Sequence, residues 1–435
     1  MIYAALGIVI CVLFTFYSIH TEKTIVNPLT VFCCIWSVVL FFSCLCYYTL
    51  YEPESSTYNI ILIGIVSFIA GYYSIKVFGK TITFNTSAKD KTVTVLNYQL
   101  VYFFAVICIL TFLWSLINVV RQISGFNLRN IQLLLQSSEY ESNSSPFWNA
   151  LSLLIVQPAS FAIAALAAAD FWAGRRDKKL FWFTIIMLFI RLLSSANRTT
   201  LMSFIIYIIV IGILKNSKKR QISRNTDIDE SSVTRRKNRK MIIQTIIVGL
   251  CIFVIMTMSR GSRIFRNLYL NFAMPPEMLE LWCKQVDDSY LIGYGMASLN
   301  GFLYPIMYIL KNVLGLSSLP GHFQDIYNLT MLTDTSWQWI GTTIRANAYV
   351  SVYWFLYLDG RWIGVAIGMF IYGGVLAGSF KKVVKNMSAK QLSVYCLMFY
   401  GILYSLARMP FTLSKYTLAI VFIVFFAYKK KPIKE

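Results

Sequence analysis

Histidine and acidic side chains are scarce in this chain. Its 435 residues include two histidines, His20 and His322, and 19 Asp and Glu residues against 40 Lys and Arg residues. Two histidines exclude a polyhistidine metal site, and the nine cysteines, mostly within apolar runs, form no zinc spacing or disulfide framework. We therefore expect neither a bound metal nor a cofactor.

Nucleotide-binding signatures are also missing. The sequence has no GxxxxGK[ST] loop and no long soluble domain that could hold a nucleotide. The net charge of +21 lies in short loops between apolar segments, where membrane orientation accounts for it. We expect neither a nucleotide-linked donor nor a nucleic-acid partner.

Long apolar runs dominate what is present. Hydrophobic residues make up 57% of the chain and charged residues 14%. Because a membrane-spanning helix needs about 20 apolar residues, this composition predicts an all-α polytopic membrane protein. We expect eleven spans, at 2–20, 28–50, 58–79, 98–120, 148–173, 180–194, 199–214, 241–258, 361–380, 391–410 and 412–428.

Two further apolar stretches, 297–314 and 346–358, are ambiguous. Counting both as spans gives thirteen with the same orientation of the termini. We expect re-entrant or interfacial helices instead, because 346–358 is too short to cross a bilayer and Pro305 interrupts the other stretch.

The lysine- and arginine-rich loops predict an N-terminus outside and a C-terminus inside. Three regions follow from this topology. Residues 1–258 form an N-terminal bundle, whose basic cytoplasmic loop at 215–240 is expected to be disordered and to touch lipid headgroups. Residues 259–360 form a long outer loop, and residues 361–435 supply the last helices and a basic tail.

Arginines recur at the ends of predicted spans on one face. An arginine at the centre of a membrane helix costs about 2.5 to 3.5 kcal/mol, and its fork of donors matches phosphate oxygens. The pattern predicts a diphosphate site, although snorkelling to headgroups is the alternative for each side chain. The candidate diphosphate ligands are Arg198, Arg260, Arg263, Arg345 and, at an outward turn, Arg408.

The long outer loop mixes aromatic and acidic residues. Trp337, Trp339 and Tyr294 are candidates for stacking on sugar rings, with an interfacial aromatic belt as the alternative. His322 and Asp325 are three residues apart and are candidates for a general base, whereas a solvent-exposed role is the simpler interpretation.

Two stretches carry a family resemblance. The sequence SSANRTTLMSFIIYIIVIGIL resembles a helix start in O-antigen polymerases and ligases, and RANAYVSVYWFLYLDGRWIGVAIG resembles their asparagine-bearing helix and glycine-spaced turn. Ligases of this family typically carry a histidine immediately before the asparagine, where this chain has Ala346 before Asn347. The chain therefore resembles a Wzy-type oligosaccharide repeat unit polymerase more than a ligase.

This resemblance implies a C-type glycosyltransferase architecture in the bacterial inner membrane, with Asn347 among the substrate-binding residues. The implied substrate is an oligosaccharide linked to undecaprenyl diphosphate, polymerised at the outer face into O-antigen or capsule. Membrane lipid and a chain-length regulator protein are the other implied partners. An O-antigen ligase and a transporter or flippase of the same lipid-linked oligosaccharide remain alternatives.

Overall fold

The computed structural model describes residues 1–78, 92–122, 146–195, 199–226, 264–312, 314–316 and 318–432. Within these ranges the fold is helical, with two small two-stranded sheets. Six of the described helices are long and apolar enough to cross a membrane. The prediction of an all-α, multi-pass membrane protein is confirmed, while the number of spans stays a prediction.

The elements in chain order are α1 (Ile2–Glu22), α2 (Pro28–Cys44), α3 (Ser55–Phe78), β1 (Thr92–Leu96), α4 (Tyr98–Gln122), α5 (Pro146–Leu151), α6 (Gln157–Ala173), α7 (Lys178–Ser195), α8 (Thr199–Thr226), α9 (Ile264–Ala273), α10 (Pro275–Ser289), α11 (Asn300–Asn312), α12 (Gly321–Thr335), β2 (Gln338–Trp339), β3 (Arg345–Ala346), α13 (Ser351–Asn386), α14 (Ala389–Tyr404), α15 (Ser414–Val421) and β4 (Tyr428–Pro432). A π-helical turn, Ser152–Val156, joins α5 to α6, and another, Phe422–Phe426, follows α15.

Several predicted segments differ from the helices observed. Helix α14 ends at Tyr404, before the predicted end at 410, and α8 continues to Thr226, so the basic loop predicted from 215 begins as helix. The ambiguous stretch 297–314 contains α11, with Pro305 inside it. The predicted span 241–258 lies outside the described residues.

The chain divides into two compact units, and one of them contains the described residues of 1–78, 264–381 and 398–414. Its helix α2 begins where the sequence signals a start: Pro28 is the first helical residue, and the Asn27 side chain accepts a hydrogen bond from the Thr30 amide at 2.8 Å. The Ser18 hydroxyl of α1 donates to the same Asn27 oxygen, also at 2.8 Å. A single capping residue thus stabilises α2 and ties it to α1.

Aromatic rings and glycines make the core of this first unit. Phe32 stacks on Phe68 with ring centroids 3.8 Å apart, and both side chains are fully buried. A Cβ atom at Gly71 or Gly373 would overlap a backbone carbonyl oxygen of the facing helix. Small residues at such positions let helix backbones approach closely, which is how membrane helices gain packing contacts.

Helix α13 is broken at Gly360 and Arg361, between the short segment predicted at 346–358 and the span predicted from 361, but the sequence analysis did not predict how the two parts pack. The predicted span began at 361, whereas the helix begins at Ser351, and Arg361 has φ 54° and ψ −142°. In a continuous helix Leu356 and Gly368, twelve residues apart, would be separated by about 18 Å. Instead, a Cβ atom at Gly368 would overlap the Leu356 side chain, so the segment before the break folds back against the segment after it.

The second unit contains the described residues of 92–226, 382–397 and 415–432. Its strands β1 and β4 pair antiparallel, from Thr92 with Pro432 to Leu96 with Tyr428. Arg191 of α7 is buried, donates a hydrogen bond to Ser160, and lies over the Phe112 and Phe161 rings at 5.5 and 5.4 Å.

Candidate binding site

The candidate site is built where α12, the β2–β3 hairpin and the start of α13 follow one another in the first unit. Trp339 pairs with Arg345 across the hairpin. The chain then returns to the end of α12, because the Ala348 amide donates to the Thr333 carbonyl at 2.8 Å. Residues on both sides of the hairpin therefore lie together.

Arg408 occupies this meeting point. Its Nη2 donates to the Asp334 carboxylate at 2.7 Å and to the Thr333 hydroxyl at 3.2 Å. Its guanidinium carbon lies 5.3 Å from the centre of the Phe355 ring, and its side chain is only 12% exposed. A charge-assisted hydrogen bond contributes about 1.5 to 3 kcal/mol. Because Asp334 is 35% exposed, solvent screening places this pair towards the lower end of that range.

Asn347 holds the same aspartate from its other side. Its Nδ2 donates to the Asp334 backbone carbonyl at 2.5 Å. Arg408 and Asn347, which were predicted from sequence, are thus joined through Asp334, which was not among the predicted site residues. We call Arg408, Asp334 and Asn347 the arginine cluster.

Arg345 lies next to this cluster in the chain. Asn347 lies two positions after it, a backbone distance of at most about 7 Å. Its guanidinium carbon lies 5.1 Å from the Trp339 ring centre, and its Nη2 is 3.5 Å from the Trp337 carbonyl oxygen. Arg345 and both tryptophans are exposed. The cation–π contact orients a guanidinium that remains accessible to an anion.

His322 lies at the opposite end of α12. Its Nε2 is 2.9 Å from the Ile292 carbonyl oxygen, and because a carbonyl can only accept, this nitrogen must carry the proton. Its ring centre is 6.2 Å from that of exposed Tyr294. Eleven residues of helix, about 17 Å, separate His322 from Thr333. His322 and the arginine cluster therefore cannot act on the same bond.

Asp325, the other candidate base, is exposed on α12. Eight residues, about 12 Å of helix, separate it from Thr333. The structure thus places both candidate general bases on one helix, away from the arginine cluster.

The break in α13 organises the loop that carries Tyr294, a role that sequence reasoning missed. The Asp359 carboxylate accepts hydrogen bonds from the Ala297 and Ser298 amides, both at 2.9 Å. Arg361 donates to the Val286 carbonyl at 3.0 Å. The Asp359-Gly360 dipeptide was the available signal, because this pair is typical of turns.

A buried acidic group lies on α10. Glu277 is 4% exposed, and its Oε2 has no hydrogen-bond partner within the described part of the chain. Burial raises the pKa of Glu277 to about 7, and the charge of Glu280 adds to the shift. Glu280 itself accepts from Lys284 at 2.7 Å and from the Glu54 amide at 2.6 Å. The two acids on one helix therefore have different environments.

The remaining candidate ligands, Arg198, Arg260 and Arg263, lie outside the described residues. Within the described ranges, no group of three or more His, Cys, Asp or Glu side chains could hold a metal ion. The site that the structure does describe offers guanidinium groups beside a carboxylate and exposed aromatic rings. That combination can bind an anionic group and an adjoining sugar.

Comparisons of the chain with protein-family models, with curated proteins and with solved structures give no match.

Proposed function

We propose that the protein is a glycosyltransferase that joins undecaprenyl-diphosphate-linked oligosaccharide repeat units into a surface polysaccharide. In this proposal the chain crosses the bacterial inner membrane eleven times, with the N-terminus outside and a C-type architecture. The outer loop and the outward turn at Arg408 then present the arginine cluster to substrates at the outer face. A chain-length regulator is a partner in the same membrane.

The arginine cluster is the observation that carries the proposal. Both hydrogen bonds of Arg408 come from Nη2, and its Nη1 and Nε donate to no residue within the described part of the chain. A guanidinium has five N–H donors, so several remain for phosphate oxygens. Stacking on Phe355 fixes the plane of the group before a ligand arrives.

Diphosphate suits this site as a ligand because it is the leaving group of the reaction and gains negative charge as it departs. A hydroxyl of one repeat unit attacks the anomeric carbon of the growing chain, and the bond from that carbon to the diphosphate oxygen breaks. Arg408 and Arg345 would stabilise the charge that develops on the departing diphosphate, as preorganised donors do in other transfers. The undecaprenyl diphosphate departs and the chain is one repeat longer.

The attacking hydroxyl must lose a proton. Asp334 is our candidate acceptor, because Arg408 fixes its carboxylate beside the proposed diphosphate position and 35% of its side chain is exposed. His322 and Asp325 are about 17 and 12 Å away along α12. They would instead contact sugars farther from the reacting bond, together with Tyr294.

The broken helix bears on the transporter alternative. Transporters commonly use the free backbone groups of a broken helix to bind cargo. Here the Leu358 and Asp359 carbonyls accept from the Gly293 and Tyr294 amides at 2.8 and 3.1 Å, and the Asp359 side chain is also engaged. Because these acceptors bond to other parts of the protein, they are not free to bind a transported molecule. The break therefore favours a structural role over a transport site.

Substitution of Arg408 tests the proposal. We expect Arg408→Ala to lower the elongation rate roughly 10- to 150-fold, because a lost charge-assisted bond contributes about 1.5 to 3 kcal/mol. Arg408→Lys should restore only part of the rate, since lysine keeps the charge but not the planar fork. The measurement is polymer length by gel, together with single repeat units remaining on the lipid carrier.

The control is Arg121→Ala, which removes an exposed arginine in the last turn of α4, in the second unit. It should elongate at close to the normal rate if it inserts and purifies like the unaltered protein. Full-length polymer from well-folded Arg408→Ala protein would refute the diphosphate role of Arg408.

A further inference from the structure

A tyrosine-rich segment between α2 and α3 lies against the β2–β3 hairpin. Tyr47, Tyr48 and Tyr51 are between 44% and 58% exposed. We call these three tyrosines, together with Trp337 and Trp339, the aromatic platform.

Backbone hydrogen bonds join the segment to the hairpin. The Tyr51 amide donates to the Ile340 carbonyl at 2.9 Å, and the Thr342 amide donates to the Thr49 carbonyl at 3.3 Å. Leu50 and Gly341 form an antiparallel bridge, at which a Cβ atom on Gly341 would overlap the Thr49 carbonyl oxygen. The segment therefore extends the hairpin as an added edge.

Tyr269 of α9 holds the other end of the segment. Its hydroxyl accepts from the Tyr47 amide at 2.8 Å and donates to the Phe42 carbonyl at 2.9 Å. Its ring, which is almost buried, contacts the Tyr48 ring edge to face at 5.5 Å. The exposed rings thus rest on a fixed support.

The backbone of the segment adopts an unfavourable conformation. Cys46, Tyr48 and Thr49 all have positive φ, at 47°, 60° and 66°, and none is glycine. Residues stay in this region only where surrounding contacts hold them there, and such strain is typical of functional sites. A membrane-interface belt requires aromatic rings at one depth but no strained connection between them.

We propose that the aromatic platform binds the oligosaccharide beyond the sugar attached to the diphosphate. Its rings offer stacking faces, and Thr49 and Thr343, both exposed and with hydroxyl oxygens 3.2 Å apart, offer hydroxyl groups. The platform is continuous with the candidate site, because Trp339 pairs with Arg345. Two to three residues, roughly 7 to 10 Å of strand, separate that pair from the hairpin tip that the segment contacts.

This proposal rests on the proposed polymerase function, in which the substrate bound at the arginine cluster carries an oligosaccharide. The ligand of the aromatic platform is then that sugar chain, not a lipid or a protein. A membrane-anchoring role for the same tyrosines is the competing outcome of the test.

The test uses purified full-length protein and an oligosaccharide released by mild acid from the lipid-linked fraction of the native cells. This probe lacks the diphosphate, so it measures the platform separately from the arginines. Binding is measured by saturation-transfer NMR and by thermophoresis. The triple variant Tyr47→Ala, Tyr48→Ala, Tyr51→Ala should bind roughly tenfold more weakly or worse, and the matching triple Phe variant should stay close to the unaltered protein.

The control variant Trp182→Ala removes an aromatic that is 61% exposed on α7 of the second unit, and it should leave binding unchanged. Equal binding by the unaltered and triple Ala proteins would overturn the proposal, as would an unaltered protein that does not bind the probe. Loss of membrane insertion with unchanged binding would overturn it in favour of an anchoring belt. Binding that depends on the tyrosines in a protein that never elongates repeat units would sustain the platform and refute the polymerase.

Discussion

Arg408 and Glu277 are both withdrawn from water, but within the described part of the chain only Arg408 of the two forms a direct ion pair. Arg408 has Asp334 at 2.7 Å and the Phe355 ring beneath it, so a carboxylate and an aromatic face compensate its burial. The Oε2 of Glu277 has no hydrogen-bond partner within the described residues, and Lys284, on the same helix, donates to Glu280 and Glu54 instead. A buried carboxylate without partners is costly when ionised, so Glu277 should destabilise the fold as the pH rises.

Glu277 has a pKa of about 7 in the folded protein, against an ordinary value near 4.5 for a glutamate, so stability should depend on pH. Because the folded pKa is the higher one, the stability contributed by protonated Glu277 is complete below about pH 4.5. It is lost as the pH rises through 7. The substituted side chain of the Glu277→Gln variant stays neutral at every pH. Above pH 7 we therefore expect the free energy of unfolding of this variant to exceed that of the unaltered protein by about 1 to 3 kcal/mol.

Thermal unfolding in detergent from pH 4 to 8 provides the measurement. The stability difference between the two proteins should shrink towards zero at the acid end. A difference that does not vary with pH would show that Glu277 is not titrating in this range.

At this scale the sequence suggested some residues of the candidate site but not the contacts between them. Arg408 and Asn347 were predicted because an arginine at a turn and an asparagine in a family-like motif are local signals. Asp334, which joins them, lies 74 positions before Arg408. No local pattern predicts that pairing, because it depends on the return of the chain after the hairpin.

Helix α13 shows how one element determines the shape of the first unit. Its break lets the segment before it, residues 351–359, fold back, and we call this segment the arm. The arm carries Phe355, the ring on which Arg408 lies. Arg361 is strained at φ 54°, but it pairs with Asp287 at 3.2 Å and donates to the Leu291 carbonyl. The break is therefore held from both sides by specific contacts.

Glycines on α13 allow a matched test of this folded-back arm. A Cβ atom at Gly364 would overlap the Leu356 carbonyl oxygen, whereas one at Gly378 would meet no atom within 4 Å. We expect Gly364→Ala to destabilise the protein by about 1 to 3 kcal/mol, the usual cost of overpacking. Gly378→Ala should be neutral or stabilising by up to about 1 kcal/mol, since alanine favours helix.

Unfolding temperatures of the two variants in the same detergent would decide the matter. Equal values for Gly364→Ala and Gly378→Ala would contradict the folded-back geometry of α13. The polymer-length assay should follow the same order, because displacement of the arm moves Phe355.

The sequence predicted the two segments of this helix but not their packing against each other. The hydrophobic run from 361 indicated a span, and the segment before it was recognised as too short to cross. Both segments are apolar, so periodicity could not show that they pack against each other. That arrangement depends on the contact between Leu356 and Gly368, which a local pattern does not contain.

At the scale of the whole molecule, the first unit gathers what the proposed reaction needs from distant parts of the chain. The arginine cluster comes from two regions near residues 334–347 and 408, and the aromatic platform adds the segment after α2. Composition predicted the helical membrane character, because apolar runs are a strong signal. The site could not be predicted in the same way, since it is made by contacts between separate segments.

Reconstitution tests the central claim most directly. Purified protein in lipid nanodiscs receives one lipid-linked substrate, the repeat unit on undecaprenyl diphosphate, with no nucleotide sugar and no other enzyme. The proposed function predicts a ladder of products that grows by one repeat at a time, with release of one undecaprenyl diphosphate for each linkage formed. A substrate that stays at a single repeat unit, in protein that is folded and binds it, would contradict the claim.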